Sequence, residues 1–200
     1  MDVGVVDYSR LTPAQMAVEF RTIARDAADV FGGLTPAQLN WKPSAEQWSA
    51  GQCFDHLIRS HAEMTGAIRR ALEPSSSRTI WQRLPFWPGL FGRMLIASMS
   101  PASTRRLPAP ASAVPASSDV PAGIVQQFAE CQQSIAADIE TLSAFDGARV
   151  MVSPFMRFVT YSVADGYRII AAHQRRHFEQ ARRVMRDPRF PSQPRDFRAS

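Results

Sequence analysis

The sequence is poor in cysteine and lacks long apolar runs. Cys53 and Cys131 are the only cysteines among 200 residues. Two cysteines cannot form a disulfide framework, and both lie in helical patterns, so we expect reduced thiols. No stretch reaches the roughly 20 apolar residues that cross a bilayer, and the first residues do not have the pattern of a secretory signal. These features favour a cytoplasmic protein without a transmembrane segment.

Lysine is also scarce, and arginine carries almost all of the positive charge. Lys42 is the only lysine, although 23 basic against 18 acidic residues give a net charge of +5. A basic segment can bind nucleic acid, but the chain has no zinc-finger spacing, RNA-binding aromatic signature or P-loop. We therefore expect the exposed face of a terminal helix and no clear nucleic-acid partner, with salt-dependent DNA binding as a lesser alternative. Eight arginines lie in the last 26 positions: Arg175, Arg176, Arg182, Arg183, Arg186, Arg189, Arg195 and Arg198.

Apolar residues recur at helical spacing along most of the chain, which predicts an all-α protein. Capping residues, prolines and glycines delimit four long helices, at about residues 12–33, 49–73, 121–145 and 162–186. Residues 148–160 are apolar and extended in pattern. Four long amphipathic helices joined by one long crossover predict a four-helix bundle. We expect one domain over residues 1–200, with a short tail at about 188–200.

The crossover between the second and third helices, residues 74–121, is irregular and rich in proline. It contains eight of the fifteen prolines and an aromatic cluster of Trp81, Phe86, Trp87 and Phe91. Residues 88–99 are predicted to form a short apolar helix. The favoured interpretation is a lid over hydrophobic surface, with a pocket wall or a membrane-surface contact as alternatives. The apolar segment 86–99 is also the candidate surface for a homodimer.

The positions of the four histidines carry most of the functional information. His173 and His177 lie four residues apart, so both rings project from one apolar face of the fourth helix. Buried imidazoles need partners, and a shared divalent metal ion satisfies both. A third imidazole from another helix would complete a metal site with open positions. The second helix offers His56 and His61; helical periodicity favours His61 and places His56 on a flank, but spacing alone does not decide.

The histidines lie within two segments that contain further recognisable motifs. The segments are LTPAQLNWKPSAEQWSAGQCFDHLIRSH, residues 34–61, and HQRRHFEQ, residues 173–180. They contain a Trp-Lys-Pro turn, a Trp-Ser helix start, a His-Leu pair and HxxxH on the last helix. Together they resemble the DinB-like superfamily of four-helix-bundle metalloenzymes, which includes bacillithiol- and mycothiol-dependent transferases. The resemblance implies that His56, His173 and His177 bind the metal, and that His61 lies near the site without binding it.

The resemblance implies a divalent-metal-dependent enzyme that acts on a small molecule, as a thiol-dependent S-transferase or a hydrolase. A low-molecular-weight thiol is the expected partner, and three histidines do not distinguish zinc, nickel, manganese or iron. No convincing general base is visible, so the catalytic residues are left unassigned. The alternative is a non-catalytic, stress-associated binding module with structural histidines and a partner-binding aromatic segment.

Several other side chains are expected near the site from their spacing along the two helices. Cys53 is interpreted as a structural thiol and Ser60 as a solvated serine, whereas Trp41 and Trp48 are interpreted as anchors that pack the start of the second helix. The neighbours supplied by spacing are Gln52, Cys53, Ser60, Arg176 and Gln180.

Overall fold

A computed structural model describes residues 6–74, 80–83, 87–103, 109–116, 119–156 and 158–191. Within these ranges the chain is mostly helical, with one small two-stranded sheet. Phe86, Arg195 and Arg198, which the sequence singled out, lie outside the described residues. The helices are α1 Pro13–Phe31, α2 Pro36–Asn40, α3 Ala50–Leu72, α4 Ile80–Arg83, α5 Trp87–Met99, α6 Ile124–Glu140, α7 Ala144–Gly147 and α8 Val163–Met185, and the strands are β1 Val150–Val152 and β2 Thr160–Ser162.

Local capping fixes the starts of the helices that carry the histidines. Ser49 accepts a hydrogen bond from the backbone N–H of Gln52 at 3.0 Å, and the Gln52 side chain accepts one from the Ser49 backbone at 3.2 Å. This reciprocal pair is a capping box. At α8, the Ser162 hydroxyl accepts from the Asp165 backbone N–H at 3.0 Å. Both helix starts were predicted, because the capping residues are local to the helix they begin.

The four long helices α1, α3, α6 and α8 pack on one another. α1 lies against α6 and α8, and α3 lies against α8 and α6. Each helix contributes one phenylalanine to a cluster in which neighbouring rings meet edge to face, with centroids 4.9–5.1 Å apart. Such contacts combine burial with favourable ring geometry, so they fix α3 and α8 side by side. The four rings are Phe31, Phe54, Phe128 and Phe178.

A small β-hairpin accompanies the helices, and the described part of the chain is mostly helical, consistent with the predicted all-α class. Strands β1 and β2 pair antiparallel, with Met151 opposite Tyr161, and both of these side chains are buried. The predicted third helix also ends early, at Glu140, and Ser143 caps the separate helix α7 by accepting from the Asp146 backbone N–H at 3.1 Å. The hairpin falls largely within residues 148–160, the stretch that the sequence predicts to be apolar and extended.

Some of the arginines predicted to lie on an exposed face of the last helix form ion pairs within the protein. Arg175 on α8 pairs with Glu19 at 2.7 Å and Asp26 at 2.5 Å on α1, and all three side chains are mostly buried. Arg182 pairs with Glu179 one turn earlier on α8, at 3.0 Å. Part of the basic charge of α8 therefore holds helices together.

The crossover is only partly irregular. Helix α5, predicted at residues 88–99, extends from Trp87 to Met99 and packs against α8 and β2. Further along, the backbone N–H of Ala116 donates to Asp55 at 2.7 Å, and the Gln52 side chain donates to the Ala116 carbonyl at 2.8 Å. These bonds hold the end of the crossover against α3. No helix in the described part of the chain is long and apolar enough to cross a membrane.

Candidate metal centre

Three imidazoles from two helices converge at one point between α3 and α8. His56 comes from α3, and His173 and His177 come from successive turns of α8. One ring nitrogen from each residue lies within 4.8 Å of the other two, and the ring centroids are 4.5–5.1 Å apart. The packing of α3 on α8 brings together the three histidines that the resemblance selected. As a group they could hold a metal ion.

The crossover determines the orientation of His56. Its Nδ1 lies 2.6 Å from the main-chain carbonyl oxygen of Ala113. Because a carbonyl only accepts hydrogen bonds, Nδ1 carries the proton, and the neutral ring keeps a free lone pair on Nε2. His56 is only 2% exposed, although helical periodicity placed it on a flank. That flank is covered by the crossover, a contact that the spacing within α3 cannot reveal.

The donor set fits a divalent transition metal. Nε2 of His56 lies 3.3 Å from Nε2 of His173, and two nitrogens at tetrahedral angles around zinc are separated by about 3.3 Å when each bond is about 2.0–2.1 Å. Nδ1 of His177 is buried and has no hydrogen-bond partner among the described residues. An unpaired buried nitrogen is costly, and coordination to a metal through Nδ1 of His177 would relieve that cost.

Burial keeps these rings neutral, which is the form that binds metal. Burial is the largest cause of the lowered pKa of His56, and it lowers the pKa of His173 to about 3. The pKa of His177 lies well below its ordinary value, first because of burial and then because of its neighbours His173, His56 and Arg176. At neutral pH the lone pairs of all three rings are therefore free of protons.

Trp48 packs on the histidines rather than only on the hydrophobic core. Its ring centroid lies 4.9 Å from that of His56 and 5.8 Å from that of His177, where the two rings stack. Trp48 immediately precedes the capping residue of α3, so the start of the helix sets its position. The interpretation as a packing anchor missed this contact. Trp41 instead packs edge to face against Phe190, with centroids 5.5 Å apart.

The histidines open onto a cavity of about 1030 Å³. Trp48 lies on its wall, Arg176, Gln180 and Arg183 of α8 line it, and Met99 with residues 101–103, 109 and 110 brings the crossover into the wall. The Arg176 guanidinium donates to the Ser98 carbonyl at 2.9 Å and so ties α8 to the end of α5. Of residues 88–99, for which a pocket wall was one alternative, only Met99 lines the cavity; the rest of the crossover's contribution comes from residues 101–103, 109 and 110.

Of the neighbours that spacing predicted near the site, Arg176 and Gln180 on α8 line the cavity. The predicted neighbours on α3 do not line it. Ser60 is buried, so its interpretation as a solvated serine is wrong. Cys53 is buried in the core, and burial raises the pKa of its thiol to about 12. His61 does not line the cavity. Gln52 instead binds the crossover through Ala116.

Residues 19–181 match the family model of the DinB superfamily. The matched region covers most of the chain and includes His56, His173 and His177. The chain belongs to the DinB superfamily. No match was found among curated proteins or among solved structures. In this DinB-superfamily chain, the His-Leu pair of α3 and the HxxxH of α8 supply the three imidazoles that meet at the cavity.

Proposed function

We propose that this DinB-superfamily chain is a divalent-metal-dependent enzyme that acts on a small molecule through His56, His173 and His177. Thiol-dependent S-transfer is its favoured reaction, and hydrolysis is the alternative. One observation carries the proposal: three neutral imidazoles converge at the wall of a solvent-open cavity. The pairwise packing of α1, α3, α6 and α8 supports a four-helix bundle as the scaffold, in one domain over residues 1–200.

The residues of the chain prepare the site before any substrate enters. The bond from His56 to Ala113 fixes the imidazole tautomer, and Trp48 covers the His56 and His177 rings on one side. A divalent ion bound there supplies Lewis acidity, which stabilises a thiolate or polarises an electrophile. Arg176 and Gln180 line the same wall of the cavity and can position a polar substrate.

The two carboxylates that line the cavity are weak bases. The pKa of Glu46 is lowered, first by a hydrogen bond from Ser44, and the pKa of Asp187 is lowered, first by a hydrogen bond from Arg189. Hydrolysis would therefore rely on the metal, because a bound divalent ion can lower the pKa of water from about 15.7 to about 7. A thiol has a pKa of about 8.5 before any metal binds, and its thiolate is a good ligand for such metals. This chemistry supports thiol transfer as the favoured reaction and keeps hydrolysis as the alternative.

In the proposed reaction, the thiol sulfur forms a bond to an electrophilic carbon of the second substrate. The leaving group departs with the electron pair of its bond to that carbon, and the thiol proton passes to solvent. No oxidant or reductant is consumed. The cavity, at about 1030 Å³, has room for a small thiol and an electrophile together.

Elemental analysis of purified protein tests the metal site first. We expect about one divalent ion per chain in the wild type, and its loss in H56A, H173A and H177A. The matched control is H61A, which removes a histidine that does not line the cavity and should retain the metal. Unchanged metal content in the cluster variants would overturn the proposal.

Activity is tested with the metal-loaded protein, an aryl halide electrophile and a series of low-molecular-weight thiols. We expect thioether formation that depends on the metal and on His173. Release of halide without consumption of thiol would instead support hydrolysis. A metal-replete protein with neither activity would contradict the enzymatic part of the proposal.

A further inference from the structure

An exposed apolar face lies on α4, α5 and the turn of the β-hairpin, and none of its residues lines the cavity of the histidines. Ile80 is 70% exposed and Leu90 is 56% exposed, which is unusual for large aliphatic side chains on a folded surface. We call this surface the aromatic face. Its members are Ile80, Trp81, Trp87, Leu90, Phe91, Met94, Met156 and Phe158.

Ring contacts and backbone bonds make the aromatic face continuous. Trp87 stacks on Trp81 with centroids 6.4 Å apart and meets Phe91 edge to face at 4.9 Å. Its indole N–H donates to the Phe158 carbonyl at 3.3 Å, which joins α5 to the hairpin. On α5, residues 87, 90, 91 and 94 fall within about 100° of the helix circumference, so they share one side.

The segments that form this face carry charge of one sign, and the neighbouring Asp165, which lies beside Gly92 of α5, is already paired with Arg168. Arg83 and Arg93 are exposed on α4 and α5, and neither forms an ion pair within the described ranges. Between Glu73 and Asp119 the sequence contains five arginines and no carboxylate. Residues 150–162 of the hairpin also contain no carboxylate. The complementary partner must therefore accept apolar side chains and carry negative charge.

A second copy of the chain does not meet that requirement. A two-fold dimer places the same patch on both sides of the interface. Arg83 and Arg93 would then face the arginines of the other copy, and the aromatic face has no carboxylate to pair with them. Like charges brought together at an interface oppose association.

An anionic bilayer surface meets both parts of the requirement. Tryptophan side chains favour the membrane–water interface, and arginines bind lipid phosphates while their aliphatic stems remain apolar. Helix α5 has 13 residues and spans about 20 Å, which is shorter than the roughly 30 Å hydrocarbon core. It would therefore lie along the surface rather than cross the bilayer. We propose that the aromatic face binds the surface of an anionic phospholipid bilayer.

Vesicle co-sedimentation tests this proposal with the full chain. We expect binding to vesicles of equimolar phosphatidylcholine and phosphatidylglycerol, weak binding to phosphatidylcholine alone, and loss of binding as salt is raised. The double variant L90E/M94E should weaken binding to the anionic vesicles by about tenfold or more. The matched control is V18E, because Val18 on α1 is also 61% exposed but lies outside the aromatic face; this variant should bind like the wild type.

A second pair of changes separates charge from apolar contact. R83Q/R93Q should lower the preference for anionic over neutral vesicles by about tenfold, since each arginine near the surface contributes to that preference. Circular dichroism and metal content should match the wild type in every variant. The proposal is overturned if the wild type remains unbound to anionic vesicles at low salt, or if L90E/M94E binds as tightly as V18E. A stable dimer that L90E/M94E dissociates, seen by light scattering in a protein without vesicle binding, would assign this face to self-association instead.

Discussion

The Nδ1 atom of His56 donates a hydrogen bond to the main-chain carbonyl of Ala113, 57 positions away in the sequence, at 2.6 Å. This bond links the crossover to the one histidine of the cluster that α3 provides. Ala113 is itself fully buried, and its backbone N–H donates to the Pro110 carbonyl at 2.8 Å. The crossover therefore contributes directly to the candidate metal centre at this point.

Weakening the attachment of the crossover should weaken metal binding. Asp55 accepts from the Ala116 backbone N–H at 2.7 Å and also from Arg59 at 2.9 Å. We expect D55A to lower metal affinity by about tenfold, because partners that orient a ligand have effects of that size. Competition with a chromogenic chelator measures the affinity. D55N, which keeps an acceptor oxygen, should recover most of the loss.

Arg59 provides the control for that prediction. R59A removes the other partner of Asp55 but leaves the bond to Ala116, so metal affinity should stay near the wild-type value. An equal loss of affinity in R59A and D55A would show that the charge balance around Asp55 matters, and not the anchoring of the crossover.

Acid should destabilise the fold partly through His61. Burial lowers the pKa of His61 to about 4 from an ordinary value of 6.5, and Nδ1 of this ring is buried without a partner among the described residues. Between these two values the unfolded chain binds a proton that the folded chain does not. Stability is therefore lost as the pH falls through this range, by about 3 kcal/mol at most.

The variant H61Q should remove that part of the acid sensitivity. Urea unfolding at neutral pH and at about pH 5 should show a smaller loss of free energy for H61Q than for the wild type. The other histidines titrate in both proteins, so the difference isolates His61. Equal losses in the two proteins would contradict the assignment.

Gly92 and Gly89 on α5 should respond oppositely to alanine. A Cβ on Gly92 would lie 2.5 Å from Oδ2 of Asp165 and 3.2 Å from its Cβ, whereas a Cβ on Gly89 meets no atom within 4 Å. Asp165 is held by Arg168 at 2.8 Å and cannot easily move away. G92A should weaken the docking of α5 on α8 by about 1–3 kcal/mol, while G89A should stabilise α5 by up to about 1 kcal/mol.

Hydrogen exchange of the α5 amides measures both effects. Protection should fall in G92A and should be equal or higher in G89A. A G92A variant with wild-type protection would mean that α5 can shift on α8 without cost.

Cys53 should be chemically inert in the folded protein. It is 1% exposed, and burial raises the pKa of its thiol to about 12, so very little thiolate is present at neutral pH. Alkylation followed by mass spectrometry should modify Cys53 only after unfolding, and C53A should keep its metal. Rapid labelling of Cys53 in the native state would contradict this prediction and would support a role for this thiol in the reaction.

The helix starts and the helix faces were predicted correctly, because they depend only on residues that are close in the sequence. Ser49 and Ser162 begin α3 and α8 as expected, since a cap acts within one helical turn. The HxxxH spacing of His173 and His177 placed both rings on one side of α8 for the same reason. The convergence with His56 was obtained from the family resemblance and not from periodicity.

The parts that periodicity missed depend on long-range contacts. His56 is buried because the crossover covers its flank of α3, and Ser60 is buried although it was interpreted as a solvated serine. Trp48 was correctly expected to pack at the start of α3, but its contact with the His177 ring requires α8 to lie alongside. Residues 148–160 were expected to be extended, but the pairing of β1 with β2 was not predicted, because each strand has only three residues.

The partner of His56 on the crossover is an oxygen of the polypeptide backbone, which every amino acid possesses. Exchanging the side chain at Ala113 would leave that acceptor in place, provided that the replacement fits the space. Inserting or removing a residue nearby would carry the acceptor away from the imidazole. Among relatives with the same histidines, the path and length of this connection should therefore be more restricted than its composition, and a search for shared residue types would overlook it.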